Sequence, residues 1–252
     1  MKRILYIILL LSVVGGSAQY EAIFDRANTA YNQGEYEKSI ADYLEILDQG
    51  QHSAALYFNL GNSYYKLNQI APSIYYYEKA LLLKPNDSEI KTNLSYARNM
   101  TLDAIEAIPE MGLSKFYNDL TQFLSFDQWA YVAVGFMILF VLLYIAFYYF
   151  RYAMRKRIAF ILSLVCLLVS ILAATFAYVQ YGDFKADRPA IVFEDEIQVR
   201  SEPNDRSQEV FKLHEGTKVN ILDDLNDFHK IRIADGKTGW VLKASVKPIR
   251  DF

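Results

Sequence analysis

Few residues of this 252-residue chain have the makings of a reactive site: His52, His214 and His229, the single cysteine Cys166, and the acidic runs Glu194-Asp195-Glu196 and Asp223-Asp224. An imidazole beside a thiol makes a nucleophile, and imidazoles grouped with carboxylates hold a metal or move protons. Neither pattern is spelled out. The histidines are scattered without metal-ligand spacing, Cys166 lies inside a long uncharged stretch, and the acidic runs fall where solvated hairpin loops are expected. No phosphate-binding glycine loop, dinucleotide-binding glycine pattern or GxSxG turn occurs. The expectation is a protein without catalysis, cofactor or metal. A lone cysteine also excludes an intramolecular disulfide.

The side chains suited to binding are amides and aromatics, and they recur. Laying residues 20–53 on 54–87 gives a period of 34, with Asn28 on Asn62, Tyr31 on Tyr65, Ser39 on Ser73, Ile40 on Ile74 and Tyr43 on Tyr77. Gly34 falls on Asn68 and Lys38 on Pro72, turn-formers at the break of a helix–turn–helix unit. A third helix, from Ser88 to near Glu106, should cap the stack before Pro109. The segment LYFNLGNSYYKLNQIAPSIYYYEKALLLKP resembles the tetratricopeptide family at Tyr57, Leu60, Gly61, Tyr64, Ala80 and Pro85. Gly61 and Ser73 would let two helices approach, with Tyr64 and Tyr77 filling the space between them. The resemblance implies that the first helix of each unit lines a groove, which makes Phe24, Asn28, Tyr31, Phe58, Asn62 and Tyr65 candidates for partner binding. Asparagine amides there would hold an extended peptide and aromatics would supply contact area. The other reading is that the asparagines cap turns or bridge water. The lysine clamp of some relatives is missing, since Phe24 and Glu89 stand where lysine is expected.

These candidates sit in a chain whose apolar residues are blocked. Lys2 and Arg3 precede the apolar run Ile4 to Val14, and Gly16-Ser17-Ala18 follows, as in a cleaved secretory signal over residues 1–18. An uncleaved anchor is the alternative. Trp129 to Phe150 and Ile158 to Tyr181 carry no charge. At 1.5 Å per residue they reach roughly 33 and 36 Å, enough to cross a bilayer. Aromatics gather at their ends (Trp129, Tyr131, Tyr148, Tyr149, Tyr178, Tyr181). Between them RYAMRKR, residues 151–157, concentrates Arg151, Arg155, Lys156 and Arg157, which places this turn on the cytoplasmic side and both flanking regions outside. No ionisable residue lies within either span, so an anchor is expected rather than an ion path. Just before the first span, Leu113, Phe116, Tyr117, Leu120, Phe123 and Leu124 fall on one helical face. That segment, 109–128, is either an interfacial helix or one packed under the repeats.

From Pro189 the pattern turns to short alternating runs, AIVF, IQVRSEP, EVFKLHEGTKVNIL and FHKIRIADGKTGWVL, about five strands of a small barrel. Val199-Arg200-Ser201-Glu202-Pro203, Glu215-Gly216-Thr217-Lys218-Val219 and Gly236-Lys237-Thr238-Gly239-Trp240-Val241 resemble the bacterial SH3-like domain. That resemblance makes Trp240 and Phe228 possible ligand-binding residues, with peptidoglycan or peptide as ligand. Phe228-His229 stands where the family often has tryptophan, so Trp240 is expected to serve the core rather than a ligand.

The fold class is therefore a multidomain membrane protein: α-helical tetratricopeptide repeats with a capping helix (19–108), a linker (109–128), a two-helix transmembrane hairpin (129–150 and 158–181) with a cytoplasmic turn (151–157), and a small SH3-like β-barrel (182–252). The exported parts carry 12 acids to 7 bases over 19–108 and 14 to 12 over 183–252, which excludes a nucleic-acid footprint. The order of parts resembles the BatE family, membrane components of the Bat aerotolerance operon of Bacteroidetes. The resemblance implies an inner-membrane scaffold with both soluble parts periplasmic, beside membrane proteins with von Willebrand A domains and a MoxR-type ATPase. The alternative is an envelope sensor gripping peptidoglycan through the SH3-like part.

Overall fold

The computed structural model describes residues 20–105, 108, 112–121 and 123–250; the expected signal segment lies outside these. Two compact units result, Met1–Ala107 with Arg188–Phe252, and Ile108–Asp187.

The first unit begins with helix α1 (residues 20–32), followed by α2 (Tyr36–Asp48), α3 (Ala54–Lys66), α4 (Ile70–Leu83) and α5 (Ser88–Arg98). The breaks inside both helix pairs are built alike. Gly34 and Asn68, one period apart, take φ of 81° and 58°, the left-handed conformation that glycine and asparagine reach most cheaply. Ser53 caps α3 through the backbone N–H of Leu56, and Asp87 caps α5 through those of Glu89 and Ile90. Within the second pair Ser73 Oγ donates to the Gly61 carbonyl at 2.9 Å. A Cβ on Gly61 would lie 2.6 Å from the Tyr77 ring, so glycine sets how closely α3 and α4 approach. Tyr77 is fully buried between them, whereas Tyr64 is half-buried and stacks on Tyr76 at 5.5 Å. The capping helix stops at Arg98, short of the expected Glu106, because residues 99–102 turn and bend away from it.

Seven strands complete this unit: β1 (Pro189–Val192), β2 (Glu196–Arg200), β3 (Glu209–His214), β4 (Lys218–Leu225), β5 (Phe228–Arg232), β6 (Thr238–Leu242) and β7 (Val246–Pro248). They form one antiparallel sheet in the order β3-β2-β6-β5-β4-β1-β7. The period-2 alternation turns Ile197, Val199, Val219, Ile221, Ile231 and Val241 inward. Strand β7, after a 3-10 turn at Lys243–Ser245, was not anticipated among the expected strands. Asp223 and Asp224 lie on β4, paired with Lys230 and His229, and not in a loop as expected.

The two parts of this unit share a core. Ile191 of β1 and Ile249 just after β7, both buried, join the cluster formed by Ile70, Ile74 and Tyr75 of α4, with Phe193 packed against it. Gly216, at φ 83°, brings the β3–β4 turn so close to the helices that a Cβ would meet Thr101 at 2.8 Å and Ile74 at 3.0 Å.

The second unit contains α6 (Leu113–Thr121), α7 (Phe126–Tyr149) and α8 (Ala153–Ala186). Ser125 and Gln128 form a reciprocal capping box that starts α7 three residues before the expected Trp129. Only residues 150–152 break the hairpin, so Arg155, Lys156 and Arg157 lie on α8 rather than in a seven-residue loop. Ala159, Ser163, Cys166, Ser170 and Ala173, three or four apart, form the buried stripe of α8, and Ser170 Oγ donates to the Ala133 carbonyl at 2.7 Å. The remaining faces expose large apolar side chains such as Ile138, Leu142, Ile161 and Leu168. Both helices are long and apolar enough to cross a membrane.

Candidate functional site

The repeated asparagines form a ladder. Asn28 Oδ1 accepts from Tyr43 Oη at 2.6 Å and from Asn59 Nδ2 at 3.0 Å. One period on, Asn62 Oδ1 accepts from Tyr77 Oη at 2.6 Å and from Asn93 Nδ2 at 2.9 Å. Each asparagine thus ties the second helix of its own unit to the first helix of the next. Burial pushes the Tyr43 and Tyr77 phenols above their ordinary value, which keeps both as O–H donors. Each Oδ1 is spent on side chains of neighbouring helices, a tie that neither of the expected alternatives, turn capping and water bridging, describes. With each Oδ1 engaged twice, the Nδ2 donors of Asn28 and Asn62 have no protein partner among the described residues.

Beside the ladder lies a cavity of about 350 Å³ lined by Tyr31, Asn62, Tyr65, Asn93 and Tyr96, with Lys66 and Glu89 as its charges. Of the residues expected to bind a partner, Tyr31, Asn62 and Tyr65 come together here. Phe24 and Phe58 instead pack on the ladder tyrosines, with ring centroids 5.6 Å from Tyr43 and 5.9 Å from Tyr77. Phe24 also lines a separate apolar cavity of about 230 Å³ with Tyr20, Ile46 and Leu56. Tyr96, 58% exposed, and Asn93 were missed as groove residues. The period would have found Asn93, which stands 34 residues after Asn59.

On the sheet, Trp240 is half-buried and lies outside the inner core, because Gly239 and Val241 take the inward positions of β6. This corrects the expectation that Trp240 serves the core. It pairs laterally with Arg200 and Lys230, whose Nζ stands 5.9 Å from the indole centroid. Arg200 is itself engaged, donating to the carbonyls of Asp205 and Ser207 and so holding the β2–β3 loop. Phe228 is buried, 7% exposed, which corrects its candidacy as a ligand platform.

The histidines serve the structure at three separate places. His52 Nδ1 bonds the Tyr57 hydroxyl at 2.6 Å, and buried His229 lies against Asp224. His214 belongs to the seam between helices and sheet. There Asp103 accepts from the His214 backbone N–H at 2.7 Å, from Thr217 Oγ at 2.6 Å, and pairs with His214 Nδ1 at 2.7 Å. Glu78, buried on α4, receives Arg98 and also Lys218 of β4. Burial works to raise the Asp103 carboxyl, but the Thr217 and His214 donors outweigh it and hold it below the usual range. The hydrogen bond that the His214 ring donates to Asp103, aided by Glu196, raises His214 above its ordinary value. A group raised on folding stabilises below its unfolded pKa and loses that contribution as pH rises through the folded value. The seam should therefore be tighter at pH 6 than at pH 9. Hydrogen exchange at the His214 amide tests this: protection should fall between those pH values after correction for intrinsic exchange, and should not do so in His214→Gln.

A family profile described as Tetratricopeptide repeat matches residues 54–87, and one described as Bacterial SH3 domain matches residues 195–247. The chain carries both. These are non-catalytic interaction domains, joined here by two helices that could span a membrane. No curated protein was found to match the chain. The first helix pair, residues 20–48, repeats the second in its left-handed break, ladder and aromatic packing, although the repeat profile covers only the second.

Proposed function

We propose that this protein is a non-catalytic membrane-anchored scaffold whose repeat groove docks an extended segment of a partner protein. The observation that carries the reading is the ladder. It fixes the amides of Asn28 and Asn62 with their N–H groups unspent, and Asn62 lines the cavity of Tyr31, Tyr65 and Tyr96 while Asn28 repeats its place one period earlier. Two fixed amide donors suit the carbonyls of an extended backbone, and tyrosines add area at low entropic cost. Residues 20–105 and 188–250 pack as one body although the hairpin separates them in sequence. Two stretches in one body occupy one side of a membrane, which two crossings allow. Arg151, Arg155, Lys156 and Arg157 at the hairpin turn favour that turn in the cytoplasm, leaving the body in the periplasm.

The resemblance to the BatE family supplies the finer reading: an inner-membrane complex with von Willebrand A-domain membrane proteins and a MoxR-type ATPase system, linked to aerotolerance. The test is a mild-detergent pull-down of the tagged protein from its native membrane, with Tyr65→Ala/Tyr96→Ala alongside. Partners in comparable amounts with the native chain and at least tenfold less with the variant are expected. Equal recovery with both would remove the groove from the reading. Recovery of the chain alone would remove the complex.

Trp240 sustains a second reading, peptidoglycan binding, since its indole is only partly buried and lies outside the inner core of β6, with Lys230 over the ring. Co-sedimentation with purified sacculi decides it. Binding lost in Trp240→Ala supports it, and binding unchanged refutes it.

A further inference from the structure

Helix α6 carries an apolar face that the described residues leave uncovered. Phe116 and Leu120 on the helix are 68% and 43% exposed, and Phe123, two residues past its end, is 79% exposed. Phe116 and Leu120 are one helical turn apart, while Lys115 and Asp119, likewise one turn apart, stand on another side. A third side faces inward: Thr121 is buried, and its carbonyl accepts from Trp129 Nε1 at 2.8 Å and from Gln180 Nε2 at 3.0 Å. Gln180 also reaches the Leu124 carbonyl at 3.1 Å. The free carbonyls at the end of α6 are thus capped by side chains of α7 and α8, which fixes this helix to the hairpin.

The point of attachment sets its level. Trp129 opens the uncharged stretch of α7 and Gln180 lies at the end of that of α8, at the hairpin end opposite residues 150–152. Rings gather there, Phe126 with Tyr181 and Phe184, and Trp129 with Phe176, as at a membrane–water boundary. The capping box at Ser125 separates α6 from α7, so α6 does not simply prolong the span.

Resting on the membrane reading above, we propose that α6 is an in-plane anchor, with Phe116, Leu120 and Phe123 inserted at the headgroup–acyl boundary and Lys115 and Asp119 in water. The occupant of the open face is lipid, because α6 is bonded to the ring-rich end of a hairpin whose own large apolar side chains are exposed. Such helices lie in the interface, with the apolar face buried about 5–10 Å into the headgroup–acyl boundary.

Spin labelling in phospholipid vesicles tests this, in a Cys166→Ala background that removes the only native thiol. Labels go singly on Phe116→Cys, Leu120→Cys, Lys115→Cys and Asp119→Cys, with Ile138→Cys and Leu168→Cys reporting the spans. Labels at 116 and 120 should be accessible to oxygen and shielded from a water-soluble nickel chelate, as at 138 and 168 but at shallower depth. Labels at 115 and 119 should meet the chelate. Chelate access at 116 and 120 would place α6 in water and overturn the proposal. Low access to both reagents there would mean a protein cover and overturn it equally. Chelate access at 138 and 168 would defeat the membrane reading itself, and the anchor with it.

Discussion

Replacing Asp103 with alanine is expected to lower the unfolding free energy of the full-length protein in detergent by about 3 kcal/mol, because hydrogen bonds to charged groups contribute roughly 1.5–3 kcal/mol each. The substitution removes the common acceptor of the His214 backbone N–H, the His214 ring and Thr217 Oγ. Thr217 is only 5% exposed, so water cannot readily replace the lost partner. Denaturant unfolding of Asp103→Ala, His214→Ala and the double variant forms a cycle. Coupling above about 1 kcal/mol is expected for groups in direct contact. Additive losses would mean that Asp103 and His214 act independently and that their pairing carries none of the seam's stability.

The second large effect has an unusual sign. Glycine to alanine inside a helix ordinarily stabilises by about 1 kcal/mol. At Gly61 the added methyl would sit 2.6 Å from two carbons of the buried Tyr77 ring. Overpacking of this kind costs roughly 1–3 kcal/mol, and here it also pulls Tyr77 Oη from Asn62. Gly61→Ala should therefore destabilise by about 2 kcal/mol once the helical gain is subtracted. Pairing it with Tyr77→Leu, which vacates the contact, should cost less than the two single losses summed. A stability gain in Gly61→Ala would show that α3 and α4 separate easily, and would weaken the role given to the close approach.

What the sequence disclosed and what it withheld divide along physical lines. Positions governed by local backbone or by period were legible. Gly34 and Asn68 marked the breaks, Gly61 and Ser73 marked the tight helix pair, and the uncharged runs marked both long helices. Their ends were less so, because a run of apolar residues measures hydrocarbon and not helix. Helix α8 continues past the uncharged run through Asp183 and Lys185 to Ala186. Trp240 was placed wrongly although the signal was present, since inward Val241 on a strand of period 2 turns its neighbour outward. The Asp103 cluster was out of reach. It joins residues 111 and 114 positions apart, and no local pattern announces such a meeting. For the same reason the groove emerged only in part: Tyr96 and Glu89 enter it from α5, whose docking is tertiary.

The shared core of helices and sheet has a consequence for synthesis. Of the described residues, the last of the repeats, 105, leaves the ribosome 145 positions before residue 250. At about 5–20 residues per second that is an interval of roughly 7–30 s. During it the repeats stand without Ile191, Ile249 and Phe193 over Tyr75, and Glu78 has Arg98 but not Lys218. A chain cut short after the second long helix would keep that face open permanently, and quality control could recognise it as unfinished. Completion of the groove-bearing stack is thereby tied to delivery of the final strands.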